Sequence, residues 1–122
     1  MEDDAKIRGI LESVKVIAVV GWSPRPERPS HRVAAYLAGR GYRVIPVNPG
    51  VAGSRALGEV VRANLSEIGE GVDMVDIFRR SEEVPGVVAE ALALLGLKAI
   101  WMQLGVEHAQ AAAEAEAVGV QV

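Results

Sequence analysis

The sequence predicts a single three-layer α/β domain, with a mainly parallel sheet of about five strands between two layers of helices. Three observations carry this. First, β-branched apolar runs alternate with helix-period segments roughly every 25 to 30 residues, which leaves right-handed crossovers to join parallel strands. Second, one such run, Val16 to Val20, ends directly in Gly21, and a helical pattern opens about ten residues later. That strand, loop and helix form the phosphate-binding corner of a Rossmann-like sheet. Third, 122 residues, 50% of them hydrophobic, fill one core and fall short of two ordinary domains, so residues 1–122 read as one domain.

Each element follows from its local pattern. Ile7, Ile10 and Leu11 stand at helical spacing between Asp4 and Val14, an amphipathic helix leading into a first strand at Lys15–Val20. Gly21 lets the chain turn where a Cβ would obstruct, and a helix opens at Ser30 and runs through Ala38. Gly39 and Gly41 close that helix, and Tyr42–Val47 is the second strand, stopped by Asn48-Pro49-Gly50. Between 51 and 71 a short edge strand near Leu57–Val61 and a helical turn at Asn64–Gly69 are expected. Val72–Phe78 is the next strand, and Arg79-Arg80-Ser81 leads to a helix through Val87, Val88, Ala91, Leu92 and Leu95, closed by Gly96, with Pro85 in its first turn. A strand at Lys98–Gln103, a helix at Glu107–Ala117 and a short final strand at Val118–Val122 complete the alternation.

Composition excludes several classes. The chain has no cysteine, hence neither a disulfide framework nor a thiolate metal site. It opens Met1-Glu2-Asp3-Asp4, the wrong sign for a signal peptide, and no apolar run reaches spanning length, so a soluble cytoplasmic protein with no membrane partner is expected. The net charge of −3 argues against a general nucleic-acid partner. Yet Gly21 to Arg43 holds five arginines (Arg25, Arg28, Arg32, Arg40, Arg43) against one acid, Glu27. A local basic loop in an acidic chain suits a small polyanion.

In a sheet of this kind ligands sit beyond the carboxyl ends of the strands, near the point where strand order reverses. The loop amides after Gly21 and the helix N-terminus at Ser30 are expected to face an anion there. A plain NAD site needs three spaced glycines and an acid after the second strand; here one glycine stands in register and the strand ends in Asn48. Arg79 and Arg80 at the end of the third legible strand favour an additional phosphate. A phosphorylated adenosine diphosphate ligand fits this pattern, NADP among the candidates.

Four blocks then carry a resemblance: Gly21-Trp22-Ser23-Pro24, Tyr42-Arg43-Val44-Ile45-Pro46-Val47-Asn48-Pro49, Val75-Asp76-Ile77-Phe78-Arg79-Arg80 and Trp101-Met102-Gln103-Leu104-Gly105. Together, in this order, they resemble the small stand-alone CoA-binding domain proteins, relatives of the CoA-binding N-terminal domain of the succinyl-CoA synthetase α subunit. The resemblance implies a coenzyme A or acyl-CoA binding module. Gly21, Trp22, Ser23 and Pro24, with Ser30 and Arg32 of the following helix, would hold the pyrophosphate. Asn48 and Pro49 would flank the nucleotide, Phe78, Arg79 and Arg80 with Val84 would bound the adenosine and its phosphate, and Gln103 and Gly105 would line the pantetheine path. Trp22 stands where the family commonly has a small residue, which implies a narrowed loop or a ring stacked on ligand.

No catalytic constellation accompanies these residues. There is no cysteine nucleophile, no histidine pair at metal spacing and no nucleophile elbow around any serine. His31 reads as a solvated or capping histidine and His108 as a surface helix residue. Asp73 and Asp76 read as acceptors of amide hydrogen bonds, and Trp101 as core. The expectation is a non-catalytic binding protein without a metal; the alternatives are an NADP-binding reductase, a CoA-ligase subunit, or an interaction module with a vestigial site.

Overall fold

The computed structural model describes residues 9, 12–94, 96–102, 109–120 and 122. Strand β1 (Val16–Val20) lies inside a four-stranded sheet, paired in parallel with β2 (Arg43–Val47) on one side and β5 (Met74–Ile77) on the other. Beyond β5 lies β6 (Ala99–Met102), also parallel, so the order is β2, β1, β5, β6. The chain runs outward from β1 to β2, returns to β5 and runs outward again to β6. The direction of winding therefore reverses between β1 and β5, and the crevice of such a sheet opens there.

Period-two alternation sorts the strand residues onto two faces. Ile17 and Val19 of β1, Val44, Met74 and Ala99 pack against Ala34 and Leu37 of helix α1 (Pro29–Gly39). Ala18 and Val20 of β1, Ile45, Val75 and Ile77 pack on the other face against helix α2 (Val84–Leu92) and helix α3 (Ala109–Ala117). Ile17 and Ile77 are fully buried, each contributing roughly 1.5–3 kcal/mol by leaving water. Both α1 and α2 begin with proline in the first turn, where its missing N–H is no loss. Pro46 of β2 sits on an outer strand with its carbonyl accepting from Arg62 N, so the absent N–H also faces outward and breaks no ladder bond.

Between β2 and β5 the structure is more detailed than the sequence suggests. Instead of one edge strand, β3 (Arg55–Ala56) and β4 (Glu59–Val60) form a two-residue hairpin, with Leu57 (φ 56°) and Gly58 (φ 77°) at its tip. The expected helical turn is a 3-10 turn at Leu65–Glu67, with Asn64 accepting from Glu67 N. Two further 3-10 turns, Pro49–Val51 and Ser81–Glu83, follow β2 and precede α2.

The final strand expected at Val118–Val122 is not formed at its described residues. Val118, Gly119 and Val120 donate back to carbonyls of Ala115 and Glu116, a helix-ending turn, and Val120 is buried against the α2 side of the sheet. Its apolar character serves packing, not strand pairing. Of the helix expected at Asp4–Val14, Glu12 and Ser13 are helical and most of the rest lies outside the described residues, as do Leu95, Gln103 and the start of the last helix at Glu107 and His108. Among the described residues no helix is long and apolar enough to cross a membrane.

Candidate functional site

The loops leaving β1, β2 and β5 are bound together at the reversal point. Gly21 N and Trp22 N both donate to Val47 O, at 2.9 and 3.3 Å, and Phe78 N donates to Val20 O at 2.8 Å. Gly21 has φ +86°, and a Cβ there would lie 2.9 Å from Phe78 O, closer than real Cβ contacts come. Glycine is needed for both reasons. Asn48 adds a second tie: its Nδ2 donates to Trp22 O at 2.7 Å while its Oδ1 accepts from Gly50 N at 2.8 Å.

On the α1 side of this junction lies a cleft of about 430 Å³, lined by Gly21, Ser23, Arg25, Arg28, Ser30 and Phe78, with Pro29 at its edge. The first turn of α1 fixes the loop from both sides. Ser23 N donates to the buried Ser30 Oγ at 3.0 Å, and Ser23 O pairs with His31 Nδ1 at 3.0 Å. The His31 ring also stacks on Trp22, centroids 5.7 Å apart. Arg28 N donates to Arg25 O at 3.1 Å, closing a turn with Pro26 at its second position, the place proline favours. Such a turn holds its end residues within about 7 Å of each other, so both arginines stand at the cleft.

A second cleft, about 310 Å³, opens on the α2 side, lined by Val20, Val47, Pro49, Asn64 and Arg79 with Glu83 and Glu90 of the α2 region. One guanidinium here faces two carboxylates, so this cleft is polar but not cationic. Glu83 is further engaged, accepting from Arg80 N at 3.3 Å.

The expected site residues divide accordingly. Gly21, Ser23, Ser30 and Phe78 line the first cleft, Pro49 and Arg79 the second. Asn48 stands between the loops as a tie. The expectation that the amides after Gly21 face an anion is corrected, because Val47 O takes those of Gly21 and Trp22 and Ser30 Oγ takes that of Ser23. Trp22 is buried and stacks on His31, so its ring belongs to the core. Val84 is fully buried and lines neither cleft. Arg80 is turned to solvent, its side chain 83% exposed and 3.9 Å from Glu82. Pro24 and Arg32 are exposed outside both clefts. Gln103 and Gly105 lie outside the described residues. In the sequence Arg25 and Arg28 stand out only as part of a basic stretch. Their signal was Arg25-Pro26-Glu27-Arg28-Pro29, a proline turn followed by a proline helix start.

Two charged groups shape the opposite parts of the sheet. Asp73 Oδ2 accepts from Lys15 N and Val16 N at 2.8 and 2.9 Å, as expected of an amide acceptor. Burial alone would raise its carboxyl; the Val16 and Lys15 amides, with the Lys98 and Lys15 charges, outweigh this and hold it below its ordinary value. Arg43 bridges Glu70 and Glu59, at 2.7 and 3.0 Å, tying the hairpin and the segment before β5 to the edge strand. Trp101 is half-buried against the α1-side core, as expected.

Comparison with known proteins places this geometry in company. The model of a protein family described as a CoA binding domain matches residues 15–122. The chain is 43% identical over 107 residues to YneT of Bacillus subtilis (strain 168), covering 88% of this chain and 77% of that one. The solved structure of cell-free ID.343 from Thermus thermophilus superposes with a TM-score of 0.90 at 37% identity, covering 98% of this chain and 88% of that one. A hypothetical protein from Pyrococcus horikoshii OT3 gives a TM-score of 0.87 at 34% identity, over 96% and 80% of the two chains.

Proposed function

The chain belongs to the CoA binding domain family, and from that premise we propose that it holds coenzyme A or an acyl-CoA across the β1–β5 junction without catalysis of its own. The observation that carries the placement is the contact of Gly21 with Phe78, which leaves a cleft on either side of the reversal point. The residues present fit the parts of such a ligand. The first cleft is lined by two arginines and, among the described residues, by no acid, which suits phosphates. The second offers Glu83 and Glu90 as acceptors for the adenine amine and the free ribose hydroxyl, and Arg79 as a partner for the 3′-phosphate.

The non-catalytic part of the reading rests on the lining residues. Among the described residues neither cleft brings a nucleophile to a base: the first holds hydroxyls and arginines, and the acids of the second have no histidine, cysteine or lysine beside them. A cytoplasmic protein carrying or sensing a thioester suits this chemistry. Calorimetric titration with CoA, NADP and ATP tests the ligand: CoA binds one to one and more tightly than the other two. Preferred binding of NADP would favour a reductase instead. Incubation of the purified chain with acetyl-CoA and succinyl-CoA, with and without nucleoside triphosphate, gives background hydrolysis only; sustained turnover would show an enzyme.

A further inference from the structure

We propose that the guanidinium groups of Arg25 and Arg28, and not the backbone amides of the Gly21–Ser23 loop, hold the ligand's diphosphate in the first cleft; this rests on the coenzyme A reading and specifies its recognition. A glycine turn before a helix ordinarily offers a row of N–H groups to an anion. Here the Gly21–Ser23 part of that row is already engaged, whereas the Ser30 amide in the first turn of α1 has no bond to a described residue. Gly21 and Trp22 donate to Val47 O, Ser23 to Ser30 Oγ, Arg25 to Ser23 Oγ at 3.2 Å, and Arg28 to Arg25 O. His31 N and Arg32 N both donate to Arg28 O, and Pro24, Pro26 and Pro29 have no N–H to give. An anion that took the amides of Gly21 and Trp22 would have to break the tie between β1 and β2.

The side chains are in the opposite condition. Arg43, Arg62 and Arg80 each pair with a glutamate. Arg25 and Arg28 line the cleft and form no ion pair with a described residue. Their turn brings their backbones within about 7 Å of each other, close enough for the two guanidinium forks to reach two adjacent phosphoryl groups. The second cleft sets one guanidinium against two carboxylates, whereas no acid lines the first among the described residues, which favours the first for the doubly charged diphosphate.

The test uses the full chain, with Arg25→Gln, Arg28→Gln, the double variant, and Arg40→Gln as an exposed arginine outside both clefts. CoA, dephospho-CoA and inorganic pyrophosphate are titrated by calorimetry, and arginine Nε–Hε signals are followed by NMR. Each single substitution is expected to weaken CoA and dephospho-CoA alike by about 10- to 100-fold, and the double variant by more, with Arg40→Gln unchanged. Pyrophosphate shifts the Arg25 and Arg28 signals of the wild type. Unaltered thermal melting of the variants shows that the fold is kept, as expected for exposed side chains. Affinity of the double variant within about twofold of wild type would overturn the proposal and leave the coenzyme A reading intact. A loss for CoA with none for dephospho-CoA would also overturn it, by placing the 3′-phosphate at these arginines. If wild type binds pyrophosphate through Arg25 and Arg28 but not CoA, the coenzyme A reading falls and the anion site stands; if it binds neither, both fall.

Discussion

Replacing Gly21 with alanine tests whether the junction is built as described, because two separable costs meet at that residue. The backbone has φ +86°, where an L residue loses about 1–2 kcal/mol. The added Cβ would also lie 2.9 Å from Phe78 O and 3.0 Å from Phe78 C, backbone atoms that cannot rotate away. Forcing the β1 and β5 loops apart adds about 1–3 kcal/mol, the usual range for overpacking. Gly41 supplies the internal control, since it has φ +97° and nothing within 4 Å of its Cβ position. Gly41→Ala should therefore cost about 1–2 kcal/mol and Gly21→Ala about 2–5 kcal/mol, in a domain that typically has 5–15 kcal/mol in total. Denaturant unfolding of both variants measures the difference, and CoA titration of folded Gly21→Ala reads its effect on the cleft. Affinity falls in Gly21→Ala and is kept in Gly41→Ala. Equal stabilities would refute the close contact as the reason for Gly21.

Three further outcomes follow from other parts of the sheet. The Asp73 carboxyl titrates below its unfolded value, so its stabilisation is present above about pH 4 and is lost as pH falls through the depressed native value; acid unfolding of Asp73→Asn should be shallower than that of wild type, from a lower stability at neutral pH. Leu57 holds φ 56° at an exposed hairpin tip, so Leu57→Asn, which tolerates that conformation, should raise stability by about 0.5–1 kcal/mol in thermal unfolding. Arg43→Met removes the bridge to Glu59 and Glu70, and its deficit against wild type should shrink between low salt and about 1 M salt, because the Glu70 pair is exposed and screened.

The four sheet strands were legible because each is a short, largely apolar run, stopped at β1 by Gly21 and at β2 by Asn48-Pro49, and burial on both faces demands that pattern. The hairpin was not. Its tip is Leu57-Gly58 where a two-residue turn usually shows Asn-Gly, and its two-residue strands are too short to display alternation. Val118 to Val122 misled in the other direction, since Val120 and Val122 pack on the core after the end of α3, and alternating valines look like a strand in sequence. The loop glycine and the strand ends pointed correctly to the junction, but composition cannot reveal which acceptor a given amide meets. Only the fold brings Val47 O within reach of the Gly21 and Trp22 amides. Val84 shows the same limit: a residue at the start of α2 can face the cleft or the core, and rotation of the helix about its axis decides it.

Chemical-shift mapping of the isotopically labelled chain during a CoA titration tests the location of the ligand most directly. The account predicts that perturbations gather at Gly21–Ser23, the Arg25 and Arg28 side chains, and Phe78 and Arg79, at the carboxyl ends of β1 and β5. Shifts centred on Lys15, Asp73 and Lys98 at the amino ends of the same strands, or none at saturating CoA, would contradict it.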